Sequence, residues 1–189
     1  MRRKLLKKLR LLAKDKKNDI RFQDECHFQQ HGTRCKMWIP PEDKDPILKH
    51  APTRKSVSLF GCVCSRTGQL TSMISPVFNA ETFLKFLKKV LKTRKKGKKI
   101  ILVVDNARYH HAIMLKDWLK ENKKHMQLLF LPPYSPDLNH VERVWKITRR
   151  ICTHNVYFET LEEIRKVIMK QMNIWNKPNE VLRKLCCIN

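Results

Sequence analysis

Three carboxylates stand where chemistry could be done. Asp105 closes the apolar run 100–104, in VVDNARYHHA, and Glu142 opens a helix-like stretch in LPPYSPDLNHVERVWKITRR, residues 131–150. Asp24 lies inside the strand-like run RFQDECHF, alternating with Phe22, Cys26 and Phe28 on a face that otherwise reads as core. An acid on such a face raises its pKa or finds a cation. Each also has an ordinary reading. Asp24 could pair with an arginine. Asp105 could cap the turn at Asn106-Ala107. Asn139 as N-cap and Glu142 at N3 fit a capping box. Glu25 falls on the other face with Gln23 and His27 and needs no special role. Convergence favours chemistry: a hard divalent cation wants several carboxylate oxygens, and two such ions can drive phosphodiester displacement.

The rest of the chain supplies the setting. Its 189 residues hold 41 Lys and Arg against 17 Asp and Glu, so the formal charge is 41 − 17 = +24. That surplus attracts a polyanion, and nucleic acid fits better than a membrane surface because the cations are scattered along the chain. No apolar run approaches the roughly 18–20 residues of a bilayer crossing. Seven cysteines without a regular framework or a secretory signal favour free thiols in a reducing compartment. Cys26, His27, His31 and Cys35 lack a C-x-x-C pair, which argues against zinc.

Residues 1–18 are basic, with leucines at helical spacing, and read as a linker or the remnant of an upstream helix. Strands are expected at 20–28, 34–39, 57–64 and 70–77, separated by turn formers. A helix follows from Asn79 or Ala80, with Phe83, Leu84, Leu87, Val90 and Leu91 as its apolar stripe. Residues 100–104 and 126–131 read as buried strands, each followed by a helix. The helix after Pro132, Pro133 and Pro136 turns Val141, Val144, Trp145, Thr148, Ile151 and Cys152 inward. A last long helix covers 160–175, and a short one can follow Pro178. This order predicts an α/β fold, a mixed sheet with flanking helices. Asp105 then sits at the carboxyl end of a buried strand, where open sheets place ligands.

Asp24-Glu25, DNARYHHA at 105–112 and LPPYSPDLNHVERVW at 131–145 together resemble the catalytic domain of mariner-superfamily DDE transposases, in their bacterial insertion-sequence branch. The 36 residues between Asp105 and Glu142 match the family's usual gap. The resemblance spans residues 19–175 and implies an RNase H-like catalytic domain over 19–177, with 178–189 as a C-terminal tail. It implies that Asp24, Asp105 and Glu142 are catalytic and jointly bind two Mg²⁺ or Mn²⁺. Water would cut the element end, and the freed 3′-hydroxyl would attack target DNA. Arg108, Lys146, Arg149 and Arg150 are expected to contact DNA, with Asn106 and Asn139 in support. DNA is the implied partner, in a homodimer, with a helix-turn-helix half lying upstream or in a separate chain. The implied location is the bacterial cytoplasm, at the nucleoid. His140 departs from the branch, which commonly has Pro there, the favoured first residue of a helix. Two other readings are a DNA-binding transposon remnant that no longer transposes, and a metal-dependent nuclease without strand transfer.

Overall fold

The computed structural model describes residues 2–36, 38–42, 47, 49, 51, 53–133 and 135–188. Five strands form one sheet in the order β3-β2-β1-β4-β5. β1 (Asn18–Gln29), β2 (Ser56–Cys64) and β3 (Leu70–Ile74) are the antiparallel meander expected from the alternating residues and turns. β4 (Lys99–Val104) and β5 (Met126–Phe130) add in parallel on the other side of β1. The apolar run of β4 is buried on both faces, Ile100, Leu102 and Val104 in one core and Ile101 and Val103 in the other. β5 was expected to be buried as well, but it is the edge strand, and Gln127 is exposed.

Helices cover both faces. α2 (Ala80–Lys92) starts at Asn79, whose side chain accepts from the Thr82 N–H while Thr82 returns the bond to the Asn79 N–H. α2 buries Phe83, Phe86, Leu87 and Val90 against Phe60, Cys62 and the β4 residues Ile100, Leu102 and Val104, and Leu115 of α3 (Ile113–Glu121) joins them. The opposite face carries α4 (Val141–Cys152), α5 (Leu161–Trp175) and α6 (Glu180–Cys186) over Phe22, Cys26, Phe28, Leu59 and Val63. α1 (Arg2–Lys14) lays Leu5 and Leu9 into this second core, and α6 of the expected tail adds Leu182 and Cys186. No helix among the described residues is long and apolar enough to cross a membrane.

Two expected elements differ. Residues 34–39 form no strand among those described, and Met37 lies outside them. Gly32 turns the chain at φ +66°, a conformation that favours glycine. Thr33 makes one isolated bridge to His154, and the Asn155 amide then takes both the N–H and the carbonyl of Cys35. That side chain does the work of a neighbouring strand, so Trp38 and Ile39 stay exposed despite their strand-like character. In α4, Ile151 is exposed and Cys152 takes the inward position.

Candidate active site

The register of the sheet brings the first two acids together. β1 and β4 run parallel with Phe22 opposite Val103, so two residues further on Asp24 faces Asp105 across neighbouring strands. Asp24 is held from the other side by α4. The indole Nε1–H of Trp145 donates to Asp24 Oδ2 at 3.2 Å. Room for that indole comes from Gly61, the direct cross-strand partner of Asp24. A Cβ on Gly61 would lie 2.1 Å from the Trp145 ring.

α4 is anchored beside Asp24 by Asn139, although not as the capping box expected. No side chain caps α4, and His140 occupies the N-cap position. The ladder between β1 and β4 stops at Phe22. Just beyond it, the buried Asn139 Nδ2 donates to the Gln23 carbonyl at 2.9 Å. A buried backbone acceptor that has lost its strand partner outcompetes an N–H at a helix start. His140 stacks on Phe22 with ring centroids 4.3 Å apart and donates from Nδ1 to the Cys186 carbonyl, tying α4 to α6. Tyr134, within the proline-rich stretch of sequence before Asn139, lies outside the described residues.

Glu142 stands in the first turn of α4. A cavity of about 430 Å³ is lined by Asp24, Asp105, Asn106, Asn139 and Glu142, with Leu131 to Pro133 as its opposite wall. Asn106 closes that wall by donating to the Leu131 carbonyl. Glu142 also borders a second cavity of about 360 Å³ with Glu25, Trp145 and Arg149.

The electrostatics are lopsided. Burial pushes the Asp24 carboxyl up to about 8, and the charges of Glu25, Glu142 and Asp105 add to that rise. Asp105 goes the other way: a hydrogen bond from His110 holds it below the ordinary range, against its partial burial. His110 is buried and places Nδ1 3.0 Å from Asp105 Oδ1 and Nε2 3.6 Å from Glu25 Oε1. Burial alone would lower its pKa, but the hydrogen bonds and charges of Asp105 and Glu25 together raise it to about 9.

His110 and Glu25 were not singled out from the sequence. Glu25 does lie on the face opposite Asp24, as its alternation requires, but there it meets Asp105 and His110. Asp24, Glu25 and Asp105 each offer a carboxylate oxygen within 4.8 Å of the others, a donor set that could hold a metal ion. The available signal was an odd pair of histidines five and six residues after Asp105.

The expected DNA contacts divide. Arg108, Lys146 and Arg150 are exposed. Arg149 is packed inward, its Nη2 donating to Cys26 Sγ at 3.0 Å and its guanidinium lying 5.6 Å from the Phe28 ring centre.

Residues 19–165 match the family model described as DDE superfamily endonuclease. The chain belongs to this family. It is 32% identical over 110 residues to the insertion element IS630 uncharacterized 39 kDa protein of Shigella sonnei, covering 58% of this chain and 32% of that one. It is 26% identical over 182 residues to the transposable element Tc1 transposase of Caenorhabditis elegans, covering 87% and 64% respectively. Among solved structures it superposes on Mos1 transposase in a paired-end complex with the left transposon end, with a TM-score of 0.65 and 18% identity. That match covers 96% of this chain and 55% of the Mos1 chain. The Mos1 paired-end complex has also been solved with Mn and with Mg. This DDE endonuclease domain therefore has the RNase H-like fold of a transposase catalytic domain. It spans about a third of the IS630 relative and about half of the Mos1 chain.

Proposed function

We propose that this chain is the catalytic part of a DNA transposase, cutting phosphodiester bonds at element ends and joining the freed 3′-hydroxyl to target DNA. The observation that carries the reading is Asp24: its carboxyl is pushed up to about 8 in a cavity it shares with Asp105 and Glu142. A buried carboxyl that holds its proton at neutral pH, beside two further acids in a protein of formal charge +24, fits a divalent cation as the partner that would ionise it.

Asp24, Asp105 and Glu142 would hold two Mg²⁺ or Mn²⁺ ions in the cavity they share. Two such ions supply activation of the attacking oxygen and neutralise charge on the leaving one. The residues themselves position. Asp105 keeps Oδ2 for this role, because Ala107 N–H and His110 both engage Oδ1. Trp145 orients Asp24, and Asn139 fixes where α4 begins, which sets the place of Glu142. His110 shares its positive charge between Asp105 and Glu25, limiting repulsion among the acids. Arg108, Lys146 and Arg150 take phosphates beside the cavity, and Arg149 steadies the α4 side through Cys26 and Phe28. Residues 19–177 form the catalytic domain. The working complex is a homodimer on DNA at the bacterial nucleoid, with end recognition supplied by helix-turn-helix modules upstream or in a separate chain.

A second arrangement has its own observation. Glu25, not Glu142, completes the tight cluster with Asp24 and Asp105. A metal held there would leave Glu142 as the outer acid.

The test is Mg²⁺-dependent nicking of a duplex carrying an element end, with and without an added end-recognition module. Nicking that Asp105→Asn abolishes supports the reading. Tight, metal-independent binding without any nicking in either format would favour the DNA-binding remnant. Nicking without joining to a target duplex would favour the plain nuclease.

A further inference from the structure

The acids lie towards one end of the sheet. At the other end β1 and β4 begin, β2 finishes and β5 starts, and four connections meet. Lys99 N–H donates to the Lys17 carbonyl at 2.8 Å, joining the start of β1 to the start of β4. Ile100 N–H donates to the His125 carbonyl at 2.8 Å, bringing in the loop before β5. Arg66, after β2, donates to the Ala13 carbonyl at 3.2 Å, and Lys98 Nζ donates to the Lys16 carbonyl.

These connections are strongly basic. Residues 92–99 read KTRKKGKK, residues 14–17 read KDKK, and Lys123-Lys124 precede β5. Their carboxylates are few. Asp15 caps the Lys17 N–H at 2.8 Å, and Asp19 is paired with Arg21 at 2.7 Å. Lys16, Lys17, Lys95, Lys96, Lys123 and Lys124 are all exposed. So dense a set of like charges on one end costs self-repulsion in the free protein and is relieved by a polyanion.

A built pocket sits in the middle of it. A cavity of about 130 Å³ is lined by Arg21, Arg66, Lys95 and Lys98, with Thr67 and Thr93 beside them and Asp19 as the one acid. Arg21 is buried and fixed, with Nη1 2.5 Å from Thr93 Oγ1 and both Nε and Nη2 on Asp19. One side of the cavity is therefore a rigid cation rather than a mobile lysine. With Arg21 already paired to Asp19, the cations of Arg66, Lys95 and Lys98 leave this space net positive, which suits a phosphate group.

The separation from the acids matters. Lys99 and Asp105 are six residues apart on one strand, roughly 20 Å at ~3.3 Å per residue. Cations at this end do little for a scissile phosphate at the acids, since about 20 Å exceeds two Debye lengths at physiological salt. We propose that this end of the sheet is a second nucleic-acid surface, which grips the phosphate backbone of a separate duplex segment without reading its sequence. One backbone phosphate seats in the Arg21–Arg66–Lys95–Lys98 cavity while the 14–17, 92–99 and 123–124 segments flank it. The inference rests on the chain being a DNA-handling enzyme. It adds that the molecule holds DNA at two ends, one where it is cut and one where it is only held.

The experiment uses the whole chain and a short duplex without an element end, in EDTA. Lysine acetylation footprinting with and without duplex reads which amines are covered, and fluorescence anisotropy across a salt series reads affinity. Protection of Lys95, Lys96, Lys123 and Lys124 is expected. The variant Lys95→Gln/Lys96→Gln/Lys123→Gln/Lys124→Gln is expected to bind at least tenfold more weakly, with a salt slope about three to four units shallower. Its Mg²⁺-dependent nicking at saturating duplex should equal that of the unaltered chain. Equal affinity for duplex in variant and parent would overturn the inference while leaving the transposase reading intact, as would amines protected by anionic lipid vesicles but not by duplex. If the parent chain bound no duplex at all, the transposase reading would fail first.

Discussion

Asp24 keeps its proton up to about pH 8 in the metal-free protein, and His110 keeps its own up to about pH 9. Both values lie above those of the unfolded chain, near 3.8 and 6.5. The folded state then binds more protons than the unfolded state between those limits, so stability falls as pH rises. For Asp24 the loss runs from about pH 4 to about pH 8. For His110 the contribution is complete below about 6.5 and gone above about 9. Unfolding in EDTA should therefore show stability declining from pH 4 to pH 9, and Asp24→Asn should remove the lower part of that decline. A flat profile in the unaltered protein would mean that Asp24 already has a cation within the chain. Asp105→Asn and Glu142→Gln are each expected to reduce Mg²⁺-dependent nicking by at least about 1,000-fold, comparable to the loss of a principal charge-stabilising group, while binding duplex as well as the parent or better.

The elements that hold these residues make a second set of expectations. Gly61→Ala puts a Cβ into the Trp145 indole, so it should cost ~3 kcal/mol by overpacking and release Asp24 from its donor. Trp145→Phe removes the Nε1–H and also shrinks a fully buried ring, so a cost of ~2–4 kcal/mol is expected from the lost bond and the cavity together. Urea denaturation checks both, and a clear loss of stability in each variant is the expected result. Asn139→Ala should cost ~1–2 kcal/mol because it leaves the Gln23 carbonyl buried without its donor. Much of this was readable in the chain. Asp24 betrayed itself as a charge on an apolar strand face, and β4 as an unbroken aliphatic run ending in an acid. Asn139 did not, because its spacing to Glu142 satisfies a local capping rule while its real partner lies 116 residues away. Residues 34–39 misled for the same reason: strand-like composition was overruled by the Asn155 side chain. Glu25 and His110 meet only through the β1–β4 register, which no local pattern encodes.

At the scale of the whole molecule, charge and fold divide the labour. The sheet and the start of α4 gather four acids toward one end while cations cover much of the rest, so duplex binding should be electrostatic, weakly dependent on sequence and steeply reduced by salt. Anisotropy titrations from 50 to 200 mM salt check this, and a shallow slope or a strong preference for one duplex by the isolated chain would count against it. The central claim is that Asp24, Asp105 and Glu142 together hold the ions that cut DNA. Anomalous diffraction from crystals grown with Mn²⁺ and an end-containing duplex tests it most directly. Expected is manganese in the cavity within ligand distance of Asp24, Asp105 and Glu142. Manganese bound by Asp24, Glu25 and Asp105 with Glu142 outside ligand distance, or no manganese in the cavity, would contradict it.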